Sequence, residues 1–172
     1  EIINKMDGYW HADFKVDSDS YRINFEKTNL TEGDRTLTEN GIQITFKGPN
    51  SYLQTGKGRG PTIYRYVISA VTKFIQSVNP EGLTFKGATN EQDVMYHYFY
   101  EKFLKNYYTA VNEDTYIHND LLKKWEDTTD PRWLIVKDSM EKFDANHPID
   151  QFRKEKEENR QALIAIRQNI GK

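Results

Sequence analysis

The segment from Pro61 to Val78 places the strongest constraint on the fold. Ile63, Val67, Val71, Phe74 and Val78 recur on one stripe, with Ile68 and Ile75 beside it. That 3.6-residue period predicts a helix buried along one face. Pro61 suits the first helical position, where its missing N–H would have had no partner, and Asn79-Pro-Glu-Gly82 ends the helix. Strand patterns flank it. Ile42-Gln-Ile-Thr-Phe46 alternates apolar with polar residues before it, and Leu83-Thr-Phe-Lys-Gly-Ala88 follows it. A strand, a helix and a second strand imply a right-handed crossover, which sets 42–47 and 83–88 side by side and parallel.

The segments ahead of this unit read as antiparallel. Trp10–Val16 and Tyr21–Glu26 alternate, and Asp17-Ser-Asp-Ser20 between them supplies turn residues, so a hairpin is expected. Residues 28–41 are polar and end in Glu39-Asn-Gly41, which reads as a second turn. Beyond the crossover, a second helix is expected from about Asn90 to Tyr108. An irregular connection then covers 109–131 with a short amphipathic piece at Leu121–Trp125, and Arg132-Trp-Leu-Ile-Val-Lys137 reads as a last strand. Asn146 to Pro148 breaks the chain before a terminal helix from Ile149 to Ile170. The middle of that helix, Arg153–Arg160, is almost wholly charged, and its apolar end, Ala162–Ile166 with Ile170, requires cover from the domain or from a partner chain. The expected architecture is α/β (α+β): a mixed, mostly antiparallel sheet with a central parallel βαβα unit over 1–145, then a C-terminal helix over 146–172.

Composition narrows the chemistry. Lys and Arg number 24 against 26 Asp and Glu, a balance that argues against a large nucleic-acid footprint. A local phosphate contact by Lys57, Arg59, Arg65 and Lys73 is compatible with it. Cysteine is absent, which excludes disulfides, thiolate metal sites and cysteine nucleophiles. The four His residues show no paired spacing suited to zinc. No apolar run reaches the roughly 18 residues that suggest a membrane span, and Glu1-Ile-Ile-Asn-Lys-Met6 lacks a signal-peptide core. Eleven Tyr, nine Phe and three Trp imply a largely aromatic core whose hydroxyls need polar partners or a surface.

One local pattern carries a mechanism. Gln54-Thr-Gly-Lys-Gly-Arg-Gly60 lies between a strand and the helix opened by Pro61. Alternating glycines let backbone amides turn inward, and the helix N-terminus adds partial positive charge. Gly56, Gly58 and Gly60 supply the turn, while Lys57 and Arg59 add full charges. Phosphate or pyrophosphate is the expected ligand class. The spacing is neither GxxxxGK[ST] nor GxGxxG, so the two common nucleotide loops do not apply.

A strand running into Pro49, then Tyr52, the Gly-Lys-Gly-Arg-Gly turn and a long buried helix resembles the acyl-CoA-binding segment of the GNAT acetyltransferases. In that family, backbone amides between strand and helix cradle the CoA pyrophosphate. The next unit is also similar: Leu83–Ala88, Asn90, then Phe99-Tyr-Glu-Lys-Phe103 in place of a Leu-Tyr-Glu-Lys motif. The resemblance implies acetyl-CoA as cofactor and a protein or small amine as acceptor. It also implies that Tyr100 protonates the departing thiolate. The likeness covers roughly residues 42–107. Gln54 stands out of register with the family's turn, and the helices that GNAT proteins place between their first two strands are reduced here to the 17–20 turn.

Thr62 to Tyr107 also resembles a group of uncharacterised tailed-bacteriophage proteins. This likeness implies a place in the cytoplasm of a bacterial host or in the virion. Two functions follow as expectations: an acyl-CoA-dependent N-acetyltransferase, or a non-catalytic virion or host-interaction protein that keeps the scaffold. The abundant aromatics suit the second as interface anchors, and the terminal helix offers it a route to oligomers. Smaller constellations have bland readings close at hand. Asp17-Ser-Asp19 suits a hairpin turn as well as a metal. His97 and Glu101 are one helical turn apart, and His118 lies near Asp114 and Asp120 in a polar stretch.

Overall fold

The computed structural model describes residues 1–48, 60–86, 96, 98–112, 114–145 and 148–170. Helix α1 (Gly60–Val78) buries Ile63, Val67, Val71 and Phe74 against one face of a seven-stranded sheet. The strands are β1 (Ile2–Met6), β2 (Tyr9–Val16), β3 (Asp19–Glu32), β4 (Arg35–Lys47), β5 (Gly82–Lys86), β6 (Tyr108–Ala110) and β7 (Thr115–His118). They lie in the order β1-β2-β3-β4-β5-β7-β6. Neighbours are antiparallel except β4 and β5, which run parallel with Ile42 opposite Leu83 and Ile44 opposite Phe85. The crossover through α1 therefore joins adjacent strands, as the helix pattern requires.

Period-two alternation decides what α1 meets. Register sets Trp10 against Phe25, Ala12 against Ile23, and Phe14 against Tyr21. Ile23 and Phe25 in turn oppose Phe46 and Ile44, so one face of these three strands is apolar. Phe74 stacks on Phe25 with ring centroids 4.1 Å apart, and Trp10 meets the same ring edge-on at 5.2 Å. Each such buried side chain contributes about 1.5–3 kcal/mol.

A second core lies on the other face. Successive strand residues point to opposite sides: Tyr116 joins the α1 core, whereas Ile117 joins Leu30, Leu37, Val111, Leu122, Trp125 and Val136. The last three come from helices α2 (Asn119–Asp127) and α3 (Pro131–Ala145). Leu30 reaches this core through a slot made by two glycines. Gly41 and Gly82 are register partners across the parallel pair, and a Cβ on either would collide with the Leu30 side chain. At Gly82 the added atom would also sit 2.9 Å from the Tyr116 carbonyl oxygen.

Four sequence expectations need correction. Glu39-Asn-Gly41 does not reverse the chain. It lies within β4, where the register against β3 slips between Thr28 and Leu30, so turn-forming residues here make a bulge. The reversal comes earlier, at Gly33, whose φ of 58° suits glycine. The helix expected to reach Tyr108 ends in a π-helical turn, Tyr100–Leu104, and Tyr108 opens β6. The connection expected over 109–131 holds the two strands β6 and β7 and helix α2. Arg132–Lys137, expected as a strand, is the first half of α3. There Pro131 takes the first helical position, and the Asp130 carboxylate accepts from the Arg132 amide at 2.9 Å, capping the orphan donors. Val136 is then buried against α2 and the sheet, so tertiary burial overrides the β preference of Trp-Leu-Ile-Val.

Helix α4 (Pro148–Ile170) follows, and its residues 155–168 are all exposed, so the domain does not cover Ala162–Ile166. No helix among the described residues is long and apolar enough to cross a membrane. The glycine slot yields a test. Gly82→Ala should lower unfolding stability by about 1–3 kcal/mol, read as a fall in the urea midpoint with an unchanged slope.

Candidate functional site

The carboxyl ends of β4 and β5 close on exposed lysines, Lys47 and Lys86. In open α/β sheets, ligands favour the region outside the carboxyl ends of the parallel strands. Helix α1 starts at Gly60 and carries no acidic residue in its first turn, so the partial positive charge of its N-terminus is not offset there. Tyr66, in its second turn, stacks on Phe14 with centroids 4.7 Å apart and planes within 9°. Phe14 stacks in turn on Tyr21, and Tyr21 on Phe46. This aromatic stack fixes the start of α1 against the end of β2-β3-β4.

Beside the stack is a cavity of about 610 Å3 lined by Asp13, Phe14, Lys15, Tyr21, Arg22 and Lys47 among others. The Tyr21 hydroxyl is buried and lacks a hydrogen-bond partner among the described residues. Arg22 donates to both Asp13 oxygens, at 2.7 and 2.9 Å. These bonds hold the Asp13 carboxyl below the usual carboxylate range. His11, almost buried, places Nδ1 3.6 Å from Asp13. Lys15 and Lys47 leave the rim cationic. Such a site can bind an anion and shelter an apolar or aromatic moiety.

The sequence-predicted residues distribute as follows. Gly60 is the first residue of α1, while Gly56, Lys57, Gly58 and Arg59 lie outside the described residues. Tyr100 opens the π-helical turn; its phenol oxygen accepts from the Ala110 amide at 3.1 Å, and its ring lies 4.7 Å from Tyr116. This places it beside β6 and β7. Glu101 forms an i,i+4 pair with Lys105 at 3.7 Å, and its suggested partner His97 lies outside the described residues. His118 caps α2, with Nδ1 accepting from the Asp120 amide at 3.1 Å. Asp114 closes a turn on Asn112. No His, Asp and Glu cluster suited to a metal occurs among the described residues. The His11–Asp13–Arg22 string is absent from the sequence-level candidates, although the hairpin held its signal: once Val16 faces Asp19, Asp13 must face Arg22.

No protein-family model, curated protein or solved structure matches the chain.

Because its folded-state pKa is depressed, Asp13 contributes stability above its unfolded value of about 3.9. That contribution is lost as pH falls through the folded value. Carboxyl NMR titration should find Asp13 below the ordinary range, and Arg22→Met should move it upward.

Proposed function

We propose that the chain is a GNAT-like acyltransferase that binds an acyl-CoA across the carboxyl ends of β4 and β5. The observation that carries this reading is the parallel β4–α1–β5 unit set in an otherwise antiparallel sheet. It presents a helix N-terminus at the end of the sheet where Lys47 and Lys86 lie, directly after the Gly-Lys-Gly-Arg-Gly segment. Backbone amides and cations at that end suit a pyrophosphate. The Phe14–Tyr66 ledge suits the flat base of a nucleotide, since Tyr66 is 46 % exposed.

In this reading the acceptor amine attacks the thioester carbonyl, a C–N bond forms, the attacking nitrogen gives up a proton to solvent, the C–S bond breaks, and the thiolate takes up a proton. Tyr100 is the proposed donor. The bond from the Ala110 amide engages an oxygen lone pair of the phenol and holds it beside β6. The acceptor is a protein or small amine.

The second reading, a non-catalytic virion or host-interaction protein on the same scaffold, draws support from one feature. The long α4 carries Leu163 and Ile166 more than half exposed, as an interaction element would.

Calorimetry with acetyl-CoA distinguishes the two. Binding that is lost in a Lys57→Glu, Arg59→Glu variant supports the transferase. Heatless titration at millimolar ligand removes it and leaves the interaction role. If acetyl transfer to amines is measurable, Tyr100→Phe should lower kcat by about a hundredfold while leaving the apparent affinity for the thioester unchanged.

A further inference from the structure

The exposed face of α4 has a pattern that identifies its partner. Lys156, Asn159, Leu163 and Ile166 are spaced three, four and three residues apart, and Ile149, Phe152 and Ile170 continue the same alternation in the sequence. This is the seam of a heptad repeat, in which Ile149, Lys156, Leu163 and Ile170 take position a and Phe152, Asn159 and Ile166 take position d. Leu163 and Ile166 are 55 % and 54 % exposed, and residues 155–168 are exposed throughout. Nothing in the described domain covers the seam between Lys156 and Ile166.

The flanks select orientation. Arg153, Arg160 and Arg167 recur at position e, and Glu155 stands at g. In a parallel pair each g residue meets the e residue of the next heptad in the partner, so Glu155 of each copy faces Arg160 of the other, twice by symmetry. An antiparallel pair would set e against e and bring three arginines of one copy toward three of the other. Lys156 and Asn159 add polar positions that weaken the seam but disfavour slipped registers.

The geometry points to a parallel, in-register, two-stranded coiled coil between the α4 helices of two copies of this chain. The seam is short: 23 residues span only about 35 Å. Association is therefore weak and concentration-dependent. It stands independently of the acyl-CoA reading, because no α4 residue belongs to that site.

Sedimentation equilibrium on the full chain tests it. The mass should double with rising concentration, and Leu163→Asp should hold the chain monomeric with an unchanged near-ultraviolet circular dichroism spectrum. Arg160→Glu should weaken the dimer by about tenfold, and adding Glu155→Arg should restore it. This charge swap keeps the test decisive should Leu163→Asp disturb folding. Because cysteine is absent, single thiols report orientation cleanly. Ile166→Cys, at a d position away from the helix midpoint, should form a disulfide dimer in a glutathione buffer, and Gln168→Cys, on the outer face, should not. A monomer at all concentrations overturns the inference, as does a dimer indifferent to Leu163→Asp or to the charge swap. Failure of Ile166→Cys to crosslink overturns the parallel register. A monomer that sediments with anionic phospholipid vesicles assigns the face to lipid and likewise overturns it.

Discussion

The parallel contact between β4 and β5 is the joint on which this fold depends. β4 is held by β3 on one side in antiparallel register and by β5 on the other in parallel register. α1 supplies the crossover that makes the second arrangement reachable. The apolar stripe of α1 covers both strands at once through Ile42, Ile44, Leu83 and Phe85. On the opposite face the same joint must admit Leu30, and only a glycine pair at positions 41 and 82 leaves the space. Packing on one face and backbone approach on the other are thus met by the same few residues.

How much of this was legible in the sequence depends on how local each signal is. The β2–β3 hairpin, the third strand, α1, β5 and the parallel adjacency follow from period-two and period-3.6 patterns that span whole elements. The errors fall where one local pattern serves two structures. Glu39-Asn-Gly41 has turn chemistry, but a bulge between long strands uses the same residues. Trp133–Val136 has strand propensity, but Asp130 and Pro131 start a helix and a second core holds it. Thr115–His118 is buried on both faces of the sheet over its first three residues, and so shows no alternation to read. The Gly-Lys-Gly-Arg-Gly pattern is a feature of the sequence alone, and Gly56–Arg59 lie outside the described residues. The buried Tyr21 hydroxyl and the His11–Asp13–Arg22 string emerge only from the exact hairpin register, which sets Asp13 opposite Arg22.

Arg132 shows how a single cation can organise a packing problem. Its guanidinium meets the Asp130 carboxylate at 2.7 Å, donates to the Leu37 carbonyl at 3.1 Å, and lies 4.6 Å from the Trp125 ring centre. It therefore ties the start of α3 to α2 and to β4. Asp130 is pulled down to about 2 by the hydrogen bonds from Arg132, so this contact persists in its charged form until strongly acidic conditions.

The two cores meet only through the thickness of the sheet. The one over α1 draws on β2 to β5 and also on Tyr108 and Tyr116 of β6 and β7, whereas the other closes around α2 and α3, encoded late in the chain. Such an arrangement permits sub-global opening, in which the late helices detach as a cooperative unit while the α1 side stays folded. The molecule would then yield to heat in stages, shedding the layer opposite α1 before the crossover itself gives way.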